Sequence, residues 1–179
     1  DGRVGYMGGM NIAQRYAEGL KWGIWRDTHM RITGPAVSEL QTSFLTDWKF
    51  TKGDEPDLAP MYPYNPPCGN TLMQIVTGGP MDKWNVMMQA YMTAIVSARS
   101  YAYLQSPYFI PPEPIMKVLQ NAALSGVDVR VMIPYRGDKG VLPPWASRSY
   151  IKEALNAGIK MYLYRKGYMH AKTMTIDDS

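Results

Sequence analysis

The residues that usually assemble metal and redox centres are nearly missing from this chain, which has one cysteine and two histidines in 179 residues. Cys68 alone forms no internal disulfide and seeds no multi-cysteine metal site. No metal and no other cofactor is expected. Charge is also sparse, at 19% of residues. The net charge of +4 favours an anionic partner without choosing between a lipid head group and a nucleic acid. No apolar run approaches the roughly 18 residues that cross a bilayer, and no secretory signal pattern opens the chain. What is present is a globular composition, 46% hydrophobic, enough for one core or two half-cores.

Scarcity makes one histidine conspicuous. It sits in Tyr168–Asp177, Tyr-Met-His-Ala-Lys-Thr-Met-Thr-Ile-Asp. Read as a strand, this stretch puts His170 and Lys172 on one face, a proton shuttle or nucleophile beside a fixed positive charge, which suits a phosphate. Asp177 falls on the opposite parity, about 23 Å away along a straight strand at about 3.3 Å per residue. It therefore reads as a structural residue that anchors the following turn with Asp178 and Ser179. The other histidine, His29, has no lysine two residues on and reads as structural.

Taken in order, Asp1-Gly2 is a hairpin turn and Arg3–Met7 the returning strand. Asn11 is placed to cap a helix over Ile12–Gly19. Trp25–Ile32 reads as a strand in which Asp27 either orients a site group or pairs with Arg26 or Arg31. Gly34-Pro35 opens a helix with Val37, Leu40, Phe44, Leu45 and Trp48 on its core face. Thr51–Asn70, with Pro56, Pro60, Pro63, Pro66 and Pro67, is a loop. Leu72–Val76 reads as a strand leading to the Gly78-Gly79-Pro80 turn. Asp82 then caps a helix burying Trp84, Met87, Met88, Tyr91, Ile95 and Ala98. From there strands and helices alternate: strand Tyr101–Gln105, helix Ile115–Leu124, strand Val127–Ile133, helix Trp145–Asn156, strand Ile159–Tyr164. That alternation is an α/β pattern. The turn Arg165-Lys166-Gly167 leads into the motif strand and suggests an antiparallel pairing in a mixed sheet. Ligands of such sheets bind beyond the carboxyl ends of strands, where Ser106–Pro112 and Pro134–Trp145 fall. Tyr108, Phe109, Tyr135 and Trp145 either line a lipid pocket there or pack the loops. Arg136, Lys139 and Arg148 are placed to meet a second head group.

The spacing HxKxxxxD at His170, Lys172 and Asp177 resembles the signature of the phospholipase D superfamily, which normally occurs twice and is followed by a Gly-[Gly/Ser]-x-Asn element. Asp1 with Gly8-Gly9-Met10-Asn11 looks like the tail of the first copy. Trp25-Arg26-Asp27, Gly34-Pro35-Ala36-Val37, Ser106–Pro111 and Trp145-Ala146-Ser147-Arg148 are similar to bacterial cardiolipin synthases. The resemblance implies an α/β fold, a phospholipase D-like mixed sheet flanked by helices and truncated at both ends. Residues 1–60 would end the first repeat and 61–179 would form most of the second. It implies catalytic roles in the motif at His170, Lys172 and Asp177, substrate contacts at Asn11, Tyr108 and Arg148, and structural roles for Asp1, Gly8 and Gly9. The implied activity is phosphatidyl transfer through a phosphatidyl-histidine, joining two phosphatidylglycerol molecules at a bacterial cell membrane. Phosphatidylglycerol, other anionic phospholipids and the membrane surface are then the partners, and no nucleic acid is expected. Phosphatidylserine synthase, phospholipase, nuclease and a non-catalytic membrane-surface module remain alternatives. With one motif cut away, the fragment itself is expected to be inactive.

Overall fold

Val129, Val131 and Ile133 alternate with half-buried neighbours, and in the computed structural model they form the buried face of the strand Asp128–Pro134. Residues 2–53, 56–79, 82–138 and 142–178 are described. In chain order the elements are β1 (Gly5–Gly8), α1 (Gln14–Glu18), β2 (Ile24–Arg26), β3 (His29–Ile32), α2 (Val37–Lys52), a 3-10 turn (Ala59–Met61) and α3 (Val86–Ser97). There follow β4 (Tyr101–Gln105), α4 (Glu113–Leu124), β5 (Asp128–Pro134), α5 (Leu142–Ser149), α6 (Ile151–Asn156), β6 (Lys160–Tyr164), β7 (Gly167–Met169) and β8 (Thr173–Ile176). The chain separates into two units, Asp1–Met7 with His29–Met87, and Gly8–Thr28 with Met88–Ser179. The expected repeat boundary at residue 60 lies inside the first of these spatial units.

The second unit is built on a four-stranded mixed sheet in the order β6-β5-β4-β8. β4, β5 and β6 run parallel, joined by crossovers through α4 and through α5 with α6, and β8 pairs antiparallel with β4, Ala102 opposite Ile176. Met116, Leu119 and Ala122 recur at three-residue spacing on α4, and all three are buried. They join Ile95, Ala98, Val129, Val131, Ile133, Ala154 and Ile159 in one core. Each large aliphatic side chain there contributes on the order of 2 kcal/mol by leaving water. The antiparallel pairing expected of the motif strand is made by its second half, β8. The motif stretch is not one strand: it breaks at His170–Lys172, leaving β7 to pair parallel with β2 in a separate two-stranded sheet. The helix expected over Trp145–Asn156 begins earlier and is interrupted at Tyr150, giving α5 and α6.

The first unit pairs β1 with β3 and carries α2. The strand expected over Trp25–Ile32 divides at Asp27-Thr28 into β2 and β3. Ile32, Val37 and Leu45 are buried, while Phe44 and Trp48, expected on the same core face, are exposed and pack against each other at 6.0 Å. Leu72–Val76 has no regular structure. Asp82 accepts the Gly79 N–H at 2.7 Å and closes that turn rather than capping a helix, and α3 starts later, with Trp84 and Met87 exposed. Met88, Tyr91, Ile95 and Ala98 carry the stripe inward. Asp1 lies outside the described residues.

Candidate active site

The site forms where β2 and β7 run side by side, with Ile24 opposite Gly167, Trp25 opposite Tyr168 and Arg26 opposite Met169. Gly167 has φ +148, and a Cβ there would fall onto the Ile24 backbone, so a larger residue would push the strands apart. The pairing is extended by the His170 N–H, which donates to the Arg26 carbonyl at 2.7 Å. Asp27 is thereby set beside the His170 ring.

The Asp27 carboxylate, 5% exposed, lies 2.7 Å from Nδ1 of His170, whose side chain is 15% exposed. An ionised carboxylate only accepts hydrogen bonds, so Nδ1 carries the proton and the lone pair is left on Nε2. The other carboxylate oxygen of Asp27 accepts the Thr28 N–H at 2.8 Å, which fixes the rotamer. Gly9 packs so closely on Asp27 that a Cβ would overlap its carboxylate, and this is a reason for glycine in the Gly8-Gly9 pair. The Tyr16 hydroxyl lies 3.3 Å from Nδ1 and donates to the Gly9 carbonyl at 3.4 Å. The Trp25 ring lies tilted, 4.5 Å from Tyr168 and 5.5 Å from His170, with the Arg15 guanidinium 4.6 Å over it.

Lys172 meets His170 although no single strand carries both. Its Nζ is 3.0 Å from Nδ1 and 2.9 Å from Nε2, and it donates to the His170 carbonyl at 2.7 Å. A point that close to both nitrogens in the ring plane would collide with Cε1, so the ammonium lies over the ring face. Burial lowers the Lys172 pKa from its usual value, against the opposing pull of the Asp27 charge. The site offers an oriented imidazole, an adjacent ammonium and an aromatic floor, a set suited to a phosphodiester. Among the described residues no three His, Cys, Asp or Glu side chains cluster as a metal site requires.

Asp177 is bound elsewhere. Its carboxylate accepts backbone N–H groups of Arg99, Ser100 and Tyr101 at 2.7, 2.9 and 2.8 Å, holding the turn before β4 against the end of β8. These donors, that of Tyr101 first, pull its pKa below the ordinary carboxylate range. Its φ of +46 is left-handed, a conformation asparagine shares more readily than alanine. We therefore assign it to folding. A carboxylate with a depressed folded pKa stabilises the fold above its unfolded pKa of about 3.9 and loses that contribution as pH falls through the folded value. Asp177→Ala is expected to lower Tm at neutral pH by several degrees or more, and Asp177→Asn by less. The gap between wild type and Asp177→Asn should close below about pH 4. Thermal melts across pH test this; a variant as stable as wild type but inactive contradicts the assignment.

Of the other expected contacts, Tyr108 and Arg148 come together. With Pro107, Ile133, Pro134, Gly137, Ser147 and Tyr168 they line a small pocket with room for about one water. Tyr108 donates to Asp138 at 3.2 Å and Arg148 to the Tyr135 carbonyl at 3.2 Å. Tyr168, fully buried, has a hydroxyl with no hydrogen-bond partner among the described residues, and burial raises its pKa. Asn11 is exposed and does not cap α1, whose N-cap is Ala13. Gly8 ends β1, Lys139 lies outside the described residues, and His29 is exposed on β3 of the first unit. Tyr16 and Gly167 were not singled out by the sequence pattern. The glycine before an apolar strand was the available signal for Gly167, and Tyr16 offered none.

Residues 91–179 match the family model described as cardiolipin synthase, PLD-like domain. Over 99% of its length the chain is 45% identical to the cardiolipin synthase of Geobacillus kaustophilus and 42% identical to the major cardiolipin synthase of Bacillus subtilis. It spans only 36% and 37% of those curated relatives. The crystal structure of phosphatidylserine synthase from Haemophilus influenzae superposes with a TM-score of 0.63 at 15% identity, covering 98% of this chain and 50% of that one, a likeness of fold. With its HxKxxxxD stretch, mixed sheet and relatives together, the chain belongs to the phospholipase D superfamily and carries the PLD-like domain of cardiolipin synthases.

Proposed function

We propose that the protein containing this chain is a phosphatidyltransferase that makes cardiolipin from two molecules of phosphatidylglycerol at a bacterial membrane. The observation that carries the reading is the Asp27–His170 pair with the Lys172 ammonium over the ring. One motif histidine attacks the phosphorus of the first phosphatidylglycerol through its Nε2. The bond from phosphorus to the glycerol oxygen breaks, and the other histidine supplies the proton that glycerol carries away. That second group then takes the proton from a hydroxyl of the second phosphatidylglycerol, whose oxygen displaces histidine from phosphorus. Asp27 fits His170 for either part, because bonding or protonation at Nε2 makes the ring positive and the carboxylate at Nδ1 stabilises that charge. Lys172 faces the non-bridging oxygens, where negative charge builds. Tyr108, Arg148 and Asn11 are assigned to head-group contacts. No nucleic acid takes part in this reading. Among the described residues no helix is long and apolar enough to cross a membrane.

The test is a product assay on the full-length protein with phosphatidylglycerol as sole phospholipid. The expected result is cardiolipin and free glycerol in equal amounts. Phosphatidic acid without cardiolipin would mean that water is the acceptor and would overturn the transferase reading.

A further inference from the structure

The loops at one end of the β2–β7 pair combine partly exposed rings with guanidinium groups. The Ile24 N–H donates to the Lys166 carbonyl at 3.3 Å, which draws the Lys21-Trp22 turn against Arg165-Lys166. The Tyr135 N–H donates to the Tyr164 carbonyl at 2.9 Å and brings in the loop after β5. Arg136 lies 5.8 Å over the Trp22 ring and Arg165 4.5 Å over the Tyr135 ring. Trp145, 62% exposed, stands one turn before Arg148 on α5, on the same helical face, and Ile24 is 55% exposed. Lys21–Trp22, Tyr135–Asp138, Trp145–Arg148 and Arg165–Lys166 together contribute five cations and one carboxylate, Asp138, which accepts from Tyr108.

We propose that this surface docks on an anionic phospholipid bilayer. Rings that are apolar in body and wet at the edge, beside cations on long stems, suit the boundary between head groups and acyl chains. A single-stranded nucleic acid would use the same charges but needs open ring faces for bases to stack on. Here a guanidinium covers a face of both Trp22 and Tyr135, and those rings are only 36% and 37% exposed. The surface also leads to the site. The Tyr108, Arg148 and Tyr168 pocket borders it, and His170 follows Lys166 by four residues, about 13 Å of extended chain. The docking surface deepens the proposed reaction and rests on it only for the choice of phosphatidylglycerol as the probe lipid.

The experiment is co-sedimentation of the full-length protein with phosphatidylcholine vesicles containing or lacking phosphatidylglycerol. Binding is expected only with phosphatidylglycerol, weakening as salt screens the charges. The double variant Arg136→Ser/Arg165→Ser should lower partitioning on the order of 10- to 30-fold. Arg136→Lys/Arg165→Lys should retain most of it, which separates lost charge from lost folding. The charge-matched control Lys117→Ser/Lys152→Ser, on α4 and α6, should bind as wild type. Equal binding by the Arg→Ser variant and wild type, or an equal loss in the control, overturns the proposal. So does binding unaffected by removing phosphatidylglycerol, or a preference for a single-stranded oligonucleotide over the vesicles. None of these readouts needs turnover, so failure of the product assay and failure of docking remain distinguishable.

Discussion

Asp27→Asn in the full-length enzyme is expected to lower turnover by about three to four decades with little change in Tm. The magnitude follows from which atom of the new amide faces the imidazole. One oxygen of Asp27 accepts the Thr28 N–H at 2.8 Å and the other meets Nδ1 at 2.7 Å. Asparagine keeps its oxygen on the Thr28 donor, since turning its NH2 that way would oppose two donors. The NH2 then points at Nδ1 and donates to it, which moves the ring proton to Nε2. The nitrogen that must bond to phosphorus, or take a proton from the acceptor, has lost its lone pair. The charge that balanced the imidazolium has gone as well. Shape and packing around Gly9 and Trp25 are preserved, so this loss belongs to chemistry rather than folding. His170→Ala removes the ring itself and should leave no measurable cardiolipin. Rates on phosphatidylglycerol vesicles with melting curves on the same preparations decide the matter. Asp27→Asn turnover within a few-fold of wild type would show that Asp27 does not set the tautomer.

The sequence carried the local patterns of this molecule and little of its pairing. Val129, Val131 and Ile133 read correctly as a strand face because a period of two survives burial on one side. The glycine at 126, with φ +94, marked where α4 stops. His170 and Lys172 were legible as neighbours because residues two apart in any extended segment share a side, whether or not a sheet continues through them. The break at His170–Lys172 was not legible, since no glycine or proline interrupts that run and the switch depends on which strands lie alongside. Nor was the β2–β7 pairing, which joins segments more than 140 residues apart and carries Asp27 to His170. Both readings of Asp27 were open in the sequence, and the distance to Nδ1 selects the orienting one. Phe44 and Trp48 failed as core residues because helical spacing names a face but not what covers it.

Lys172→Met should cost about two to three decades in turnover while changing apparent lipid binding far less. A phosphodiester already bears one negative charge, and the five-coordinate transition state concentrates more on its equatorial oxygens. An ammonium at hydrogen-bond distance therefore stabilises the transition state more than the bound lipid. Stability should not fall with it. Burial lowers the Lys172 pKa, so folding disfavours its charged form relative to the unfolded chain, and a neutral side chain of similar length meets no such cost. Turnover lost at unchanged or raised Tm marks a group kept for chemistry. The same shift sets a pH signature. If the charged form does the work, the alkaline limb of turnover falls below the ordinary lysine value of about 10.4, and Lys172→Arg, which stays protonated, flattens that limb. Arginine should not recover the wild-type rate, because its planar fork moves the positive atoms away from the place over the His170 ring where Nζ sits. The readout is the drop in turnover set against the change in half-saturating phosphatidylglycerol, measured across pH. Should Lys172→Met raise the half-saturating concentration by the whole factor and leave turnover intact, Lys172 is a head-group anchor, and His170 with Asp27 carries the chemistry without it.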